Sequence, residues 1–347
     1  MPFARDKLHP ITRERYSSPL LIASHGVKAE SKSLYKKQIV FLVTLASKQT
    51  LKIDGLHTYD VDDLLQGGMG YVLLLSLVDD SRALSLTERL LNRSSKLEAY
   101  FRYPYRKTLA AKTVKQTELM PNFARECRIW LAMQQDGIVP LLKVIDVNNR
   151  IFALMPRYSG SLRDLMMQKR ISTRTILGAL ADPVAGLEAI YKKYKVVHQD
   201  LKPENFLYQY EDGQLRLMLS DWGIANVQAM QWHEIASDLS GLSITTMGGF
   251  GTIPYMAPER FRSYVSDSAA DVFSLGILFM ELVSGTWPYD PVQPLAEQII
   301  SGSYYHNAQS LLLAAPPEVS RLILSMIHPA AGKRPSYSQI VRFLRRF

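Results

Sequence analysis

The 347-residue sequence contains a single cysteine, Cys127, and no apolar run long enough to cross a bilayer. One cysteine cannot close a disulfide within the chain. That excludes a disulfide scaffold and a zinc ribbon, and it favours a reducing, intracellular compartment, cytoplasm or nucleus. The longest apolar stretch near the start, Ile39–Ala46, is eight residues and reads as a buried strand; a membrane span takes about 20. The opening segment, MPFARDKLHPITRERY, lacks the apolar core of a secretory signal. Repeats and low-complexity tracts are absent too, which excludes solenoids. Hydrophobic residues are not scarce: at 47%, with 21% charged, they exclude disorder as the global state. Lysine and arginine number 41 against 32 acidic residues, a net charge of +9. The excess is spread along the chain. Groups such as Lys192, Lys193, Lys195 and Arg342, Arg345, Arg346 read as solvated faces. No nucleic-acid recognition motif accompanies them, so no nucleic-acid partner is expected. Nothing in the pattern specifies an oligomeric state.

Three stretches divide the chain. Residues 1–55 read as an N-terminal extension with two short strands, Ile39–Leu45 and Thr50–Ile53. Residues 56–155 read as a small β-rich lobe: strands Val61–Leu65, Tyr71–Val78, Thr108–Val114, Val139–Val147 and Arg150–Met155, and a helix over Asn122–Gln135. In that helix Phe123, Cys127, Trp130 and Leu131 recur at helical spacing and predict an inward face. Residues 79–107 form a polar insertion, with leucines Leu86, Leu90 and Leu97 predicting a helix over Leu84–Phe101. Residues 156–347 read as a larger α-rich lobe, with helices over Ser161–Met167, Ile176–Tyr194, Ala269–Val283, Leu295–Ser301, Glu318–Ile327 and Ser336–Arg346. The expected class is α+β, in two lobes.

The chemistry concentrates in the second lobe. Val196–Leu207 reads VVHQDLKPENFL; Ser220–Gly223 reads SDWG; Gly251–Glu259 reads GTIPYMAPE; Asp271–Gly276 reads DVFSLG; Lys333–Pro335 reads KRP. In this order the segments resemble the signature set of the eukaryotic-type (Hanks-type) Ser/Thr protein kinase family. The resemblance covers about residues 56–347. It implies a bilobal kinase fold, ATP and Mg2+ as cofactors, and protein substrates with serine or threonine acceptors. Phosphoryl transfer needs positioning and charge neutralisation more than covalent work. By the resemblance, Asp200 orients the attacking hydroxyl and Lys202 steadies the transferring phosphoryl. Asn205 and Asp221 offer the hard oxygens that magnesium requires. Thr252 would bridge Asp200 and Lys202, Glu259 and Arg334 would form a bracing ion pair, and Asp271 would hold the catalytic-loop backbone. His198 reads as a scaffold histidine rather than a base, and Glu204 is a candidate for meeting a basic residue upstream of the acceptor.

For the first lobe, TLAAK at Thr108–Lys112 resembles the VAIK strand, which puts Lys112 on the nucleotide's α- and β-phosphates. Its implied partner is Glu126, which shares the helix face of Phe123 and Trp130; Glu118, ahead of Pro121, is the competitor. Gly67, Gly68 and Gly70 match a glycine loop whose first glycine is replaced by Leu65, although GGMG alone is equally a hairpin turn. The implied adenine pocket is Val72, Ala110 and Leu207, with Met155 as gatekeeper and Pro156 to Tyr158 as hinge; core packing alone would also explain these apolar positions.

Two departures shape the functional expectation. Gln199 stands where regulated members carry the arginine that gathers a loop phosphate. Activity independent of activation-loop phosphorylation follows, unless another basic residue takes over. Trp222 replaces the usual phenylalanine, a variant shared with casein kinase II, which resembles a constitutively active kinase; its indole can hydrogen-bond. The alternative is a pseudokinase acting as a nucleotide-binding scaffold. A small-molecule or lipid kinase is a third reading, against which the Thr252 segment argues.

Overall fold

Alternation of buried and half-buried residues along Gly70–Leu77, with Tyr71, Leu73 and Leu75 facing inward, marks a strand with one packed face. It belongs to the first of two compact units in the computed structural model. One unit comprises the chain through Pro121 together with Lys143–Arg157; the other comprises Asn122–Leu142 and Tyr158–Phe347. The structure describes residues 50–53, 57–66, 70–78, 108–115, 117–147, 149–222, 226–227, 252–261 and 267–347. The expected strand Ile39–Leu45, the insertion with its helix, and Gly67 and Gly68 lie outside these residues.

Among the described residues the first unit is a six-stranded antiparallel sheet. Its strands are β1 (Thr50–Ile53), β2 (His57–Gln66), β3 (Gly70–Leu77), β4 (Thr108–Val114), β5 (Lys143–Val147) and β6 (Arg150–Pro156), in the order β1-β2-β3-β4-β6-β5. Register places Val72 opposite Lys112, and Ala110 opposite Met155. The expected strand Val139–Val147 begins only at Lys143. Val139 is instead tied by its N–H to the Leu219 carbonyl at 2.8 Å, in the other unit. A β-bulge between Val61 and Asp63 frees Asp62. Its carboxylate accepts from Ser76 and from Arg157, the last residue of this unit, both at 2.5 Å. Gly70 has a packing reason to be glycine: a Cβ there would lie 2.5 Å from the Thr113 carbonyl oxygen on β4.

In the second unit, α1 (Met120–Ala132, counted from Asn122) buries Phe123, Cys127, Ile129 and Trp130. Leu131, expected inward, is 45% exposed; Ile129 takes the inward place, two residues earlier on the helix. The Trp130 indole N–H donates to the Val139 carbonyl at 2.6 Å, which satisfies its buried polar edge. Next come β7 (Gly160–Ser161), α2 (Leu162–Gln168), α3 (Thr173–Ala179) and α4 (Ala181–Tyr194). The single helix expected over Ile176–Tyr194 is therefore two, jointed at Leu180. Pro183 has no N–H to continue the ladder back to Ala179, but it is tolerated in the first turn of a new helix.

The chain continues through β8 (Val196–Val197) to β9 (Phe206–Glu211) and β10 (Gln214–Leu219), a hairpin that the helical reading of this lobe missed. Its signal was present: Asp212 and Gly213 both have positive φ, 50° and 76°, the geometry that Asp-Gly supplies in a two-residue turn. A short strand β11 (Asn226–Val227) pairs with β8. The unit is built around α5 (Ser268–Ser284), capped by Asp267 and ended by Gly285 at φ 75°, and buried on all sides from Ala270 to Glu281. Gly276 lets the helix over Pro317–Met326 approach it; a Cβ there would lie 2.6 Å from Ile327 at that helix's end. The remaining helices of the described residues are α6 (Leu295–Ser301), α7 (Tyr304–Leu311), α8 (Pro317–Met326) and α9 (Tyr337–Leu344).

Candidate active site

The site is built outward from a buried anchor. Asp271, in the first turn of α5, is fully buried and accepts three hydrogen bonds: from the backbone N–H of His198 at 2.7 Å, the backbone N–H of Gln199 at 2.8 Å and the Tyr337 hydroxyl at 2.9 Å. Burial raises its carboxyl pKa, and the nearby His198 and the three donors work against that rise. The anchor fixes a segment that leaves β8 in an unusual path, with Gln199 at φ 69°. His198 is itself buried. Its Nε2 lies 3.0 Å from the Ser220 carbonyl, so Nε2 carries the proton and Nδ1 accepts, at 3.4 Å, from the Asp200 N–H. Occupied on both ring nitrogens, His198 acts as a brace between two loops.

Beyond the brace, Asp200 sits at the centre of a polar cluster. Lys202 Nζ donates to its Oδ2 at 2.7 Å; the Thr252 hydroxyl and backbone N–H donate to Oδ1 at 3.0 and 3.1 Å. Lys202 also donates to the Thr252 hydroxyl at 2.8 Å, so Thr252 bridges the acid and the amine. Asn205 donates from Nδ2 to the Asp200 carbonyl at 2.7 Å, and its own carbonyl accepts from the Ser220 N–H and hydroxyl at 2.8 and 2.9 Å. Burial works to raise the Asp200 carboxyl pKa. The Lys202 ammonium and the Thr252 N–H outweigh it and hold the group below its ordinary value. Next to Ser220, Asp221 takes φ 67°, and the Trp222 ring packs 4.7 Å from the His198 ring with its indole N–H unpaired.

Among the described residues the chain gathers no group of three or more His, Cys, Asp or Glu able to hold a metal. The hard donors expected from the sequence are the Asn205 amide oxygen, on a side chain bound to Asp200 through its Nδ2, and the Asp221 carboxylate, one residue after Ser220 in the chain. Such a pair suits a divalent cation that takes its remaining ligands from phosphate and water.

Further out, Arg334 has a fully buried side chain and meets Glu259 in a two-bond pair, 2.6 and 2.9 Å; it also donates to the His328 and Ala269 carbonyls and lies over the Phe273 ring. Sequence reasoning missed a second cluster. Arg163 on α2 bonds Glu204 at 2.8 Å, Glu281 at 2.5 Å and the Tyr255 hydroxyl at 2.7 Å, while that hydroxyl donates to Glu281 at 2.5 Å. Glu204, considered above as a receptor for a substrate cation, is thus paired with an arginine of the chain itself. Arg163 and Glu281 lie 118 residues apart, and no local pattern joins them. Gln199 likewise has a partner, 61 residues away: its side-chain oxygen accepts from Arg260. The other expected residues fall as follows. Val72, Ala110 and Lys112 lie on β3 and β4, and Met155 and Pro156 on β6; Glu126 is on α1, Leu207 on β9, and Tyr158 begins the second stretch of the second unit.

Comparison with known proteins bears on the same segments. A family described as "Protein kinase domain" matches residues 96–343, a span that begins after the glycine turn and Val72. Among curated relatives, the serine/threonine-protein kinase dkf-2 of Caenorhabditis briggsae is 24% identical over 57% of this chain and 16% of its own length. The serine/threonine-protein kinase pkn2 of Myxococcus xanthus is 27% identical over 63% of this chain and 26% of its own. The mitogen-activated protein kinase kinase 1c of Physcomitrium patens is 29% identical over 58% of this chain and 57% of its own. The chain therefore spans less than two thirds of each of these relatives.

Proposed function

This chain belongs to the protein kinase domain family, and on that premise we propose that it is a serine/threonine protein kinase, transferring the γ-phosphoryl group of ATP to protein hydroxyls without needing a phosphorylated activation segment. The carrying observation is the Asp200 cluster: a carboxylate held ionised between Lys202, Asn205 and Thr252. The acceptor hydroxyl oxygen forms the new O–P bond while the bond from the γ-phosphorus to its bridging oxygen breaks, and ADP leaves with that electron pair. The hydroxyl proton passes to Asp200. A carboxylate with a lowered pKa is a weak base for a hydroxyl, so the group chiefly orients its partner and takes the proton late. That suits a loose, dissociative transition state, where little proton abstraction is needed early. Lys202, bridged to Asp200 by Thr252, supplies positive charge beside the phosphoryl oxygens.

The Asn205 amide oxygen and the Asp221 carboxylate would hold Mg2+, which when bound neutralises phosphate charge. Lys112 with Glu126 would fix the α- and β-phosphates. Gly67, Gly68 and Gly70 would approach them, and Val72, Ala110, Met155, Pro156, Tyr158 and Leu207 would surround the base. Serine and threonine as acceptors are supported by Lys202 and Thr252 in the loop pattern and by the names of the relatives.

The test is transfer of labelled γ-phosphate from Mg-ATP to a generic basic protein, beside Lys112→Met, with identification of the labelled amino acid. Phosphoserine or phosphothreonine, lost in the variant, is the expected result. Nucleotide-dependent stabilisation without transfer would replace this reading with the pseudokinase.

A further inference from the structure

Gln199 has an uncommon set of contacts. Its backbone stands at φ 69° and its N–H is spent on Asp271. Its side-chain Nε2 is buried and unpaired, and its Oε1 accepts from Arg260. An unpaired buried amide N–H is costly. The side chain is therefore held in an orientation that sacrifices its donor to present its acceptor to a guanidinium.

Arg260 lies in the 3-10 turn Pro258–Phe261, one residue past Glu259. The two carboxylates whose charges act on it have other commitments: Glu259 is gripped at both oxygens by Arg334, and Asp271 by three donors. Burial pushes the Arg260 guanidinium pKa below its ordinary value, and the charges of Asp271 and Glu259 oppose the shift. Of the described residues, Gln199 is the one to which Arg260 makes a hydrogen bond.

We propose that the Gln199–Arg260 pair is a latch that fastens the Pro258–Phe261 turn, and through it the Thr252 segment, to the catalytic loop without any phosphate, with Arg260 as the positioning residue. This rests on the phosphorylation-independent reading above and supplies its physical cause. Thr252 contacts Asp200 and Lys202 directly, and the chain from Thr252 to Arg260 passes through two short turns closed by backbone bonds, Tyr255 to Thr252 and Arg260 to Ala257. A turn pinned at Arg260 thereby limits where Thr252 can stand. An arginine at position 199 would set two guanidiniums against each other and need an added anion between them. A neutral amide avoids that need.

The test uses the full chain as wild type, Gln199→Arg, Arg260→Met and the exchanged pair Gln199→Arg/Arg260→Gln. Two readouts are taken: phosphoryl transfer, and backbone amide hydrogen exchange over residues 252–261. The latch predicts that Gln199→Arg and Arg260→Met each lower kcat about 10-fold with KM for ATP unchanged, and that exchange over 252–261 accelerates by a similar factor. It predicts that the exchanged pair, which again sets one amide against one guanidinium, returns both readouts to within about 3-fold of wild type. Unchanged exchange in both single variants, or an exchanged pair no better than Gln199→Arg, overturns the latch. So does a wild-type chain whose turn is slowed in exchange by inorganic phosphate, because Arg260 would then be an anion receptor. If the wild type transfers no phosphate at all, the kinase reading fails and the exchange readout alone decides the latch.

Discussion

Asp200 and Asp271 are both carboxylates within the second unit, linked through the His198-Gln199 segment, whose backbone Asp271 holds and whose imidazole accepts from the Asp200 N–H, yet they are furnished in opposite ways. Asp271 is fully buried and meets only neutral donors, two backbone N–H groups and a phenol; burial drives its carboxyl pKa up. The Asp200 side chain keeps 11% of its surface exposed and has an ammonium against it, which drives its pKa down. Full burial and saturated oxygens suit a group that must not move or react. Partial exposure beside a matched cation suits a group that must stay ionised while a substrate hydroxyl approaches. The difference separates the support of the site from its chemistry, although both residues are aspartates in the same hydrogen-bonded assembly.

That contrast can be broken most forcefully at the support. Asp271→Ala leaves three buried donors unpaired, at about 1–3 kcal/mol each, offset by no longer burying a carboxylate; a net loss of about 3 kcal/mol is expected in the unfolding free energy, seen in urea as a lower midpoint. The chemistry end should respond differently. Thr252→Val removes the bridge between Asp200 and Lys202 and should lower kcat about 10-fold with the unfolding midpoint nearly unchanged, while Thr252→Ser, which keeps the hydroxyl, should recover most of the rate.

The smallest expected effect is on pH dependence. The folded chain holds the Asp200 pKa below the unfolded value of about 3.9, so this group's stabilisation is complete above that value and is lost as pH falls through the lower, folded one. Asp271, raised by burial, has the opposite sign: it favours the fold when protonated and ceases to as pH rises through its folded value. Unfolding midpoints from pH 2.5 to 6 should therefore show a shallower acid limb for Asp200→Asn than for wild type.

Much of the fold was legible where chemistry or periodicity is local. The strand Thr108–Val114, the inward face of α1 at Phe123, Cys127 and Trp130, and the large helix α5 all follow from side-chain spacing. The Asp200 to Asn205 segment was legible because its residues are consecutive and their chemistry is crowded into six positions. The joint at Leu180 and the hairpin at Asp212-Gly213 carried signals, Pro183 and the Asp-Gly turn, that a mainly helical reading of the lobe overrode. What could not be read were pairings between distant segments: Arg163 with Glu204 and Glu281, Tyr337 with Asp271, and Arg260 with Gln199. Each depends on two side chains meeting after the backbone has folded, and neither partner is marked by its own neighbours in sequence. The substitution at Gln199 showed that a charge was missing; only the structure shows which guanidinium stands beside it.

The most direct test of the division between Asp200 and its supports is a single-turnover measurement of phosphoryl transfer from Mg-ATP by wild type and Asp200→Asn, each with its unfolding midpoint. The account predicts a transfer rate lower by about 10³-fold in the variant, with the nucleotide-induced rise in melting temperature retained. Transfer within a few-fold of wild type would contradict it and move the chemistry away from Asp200.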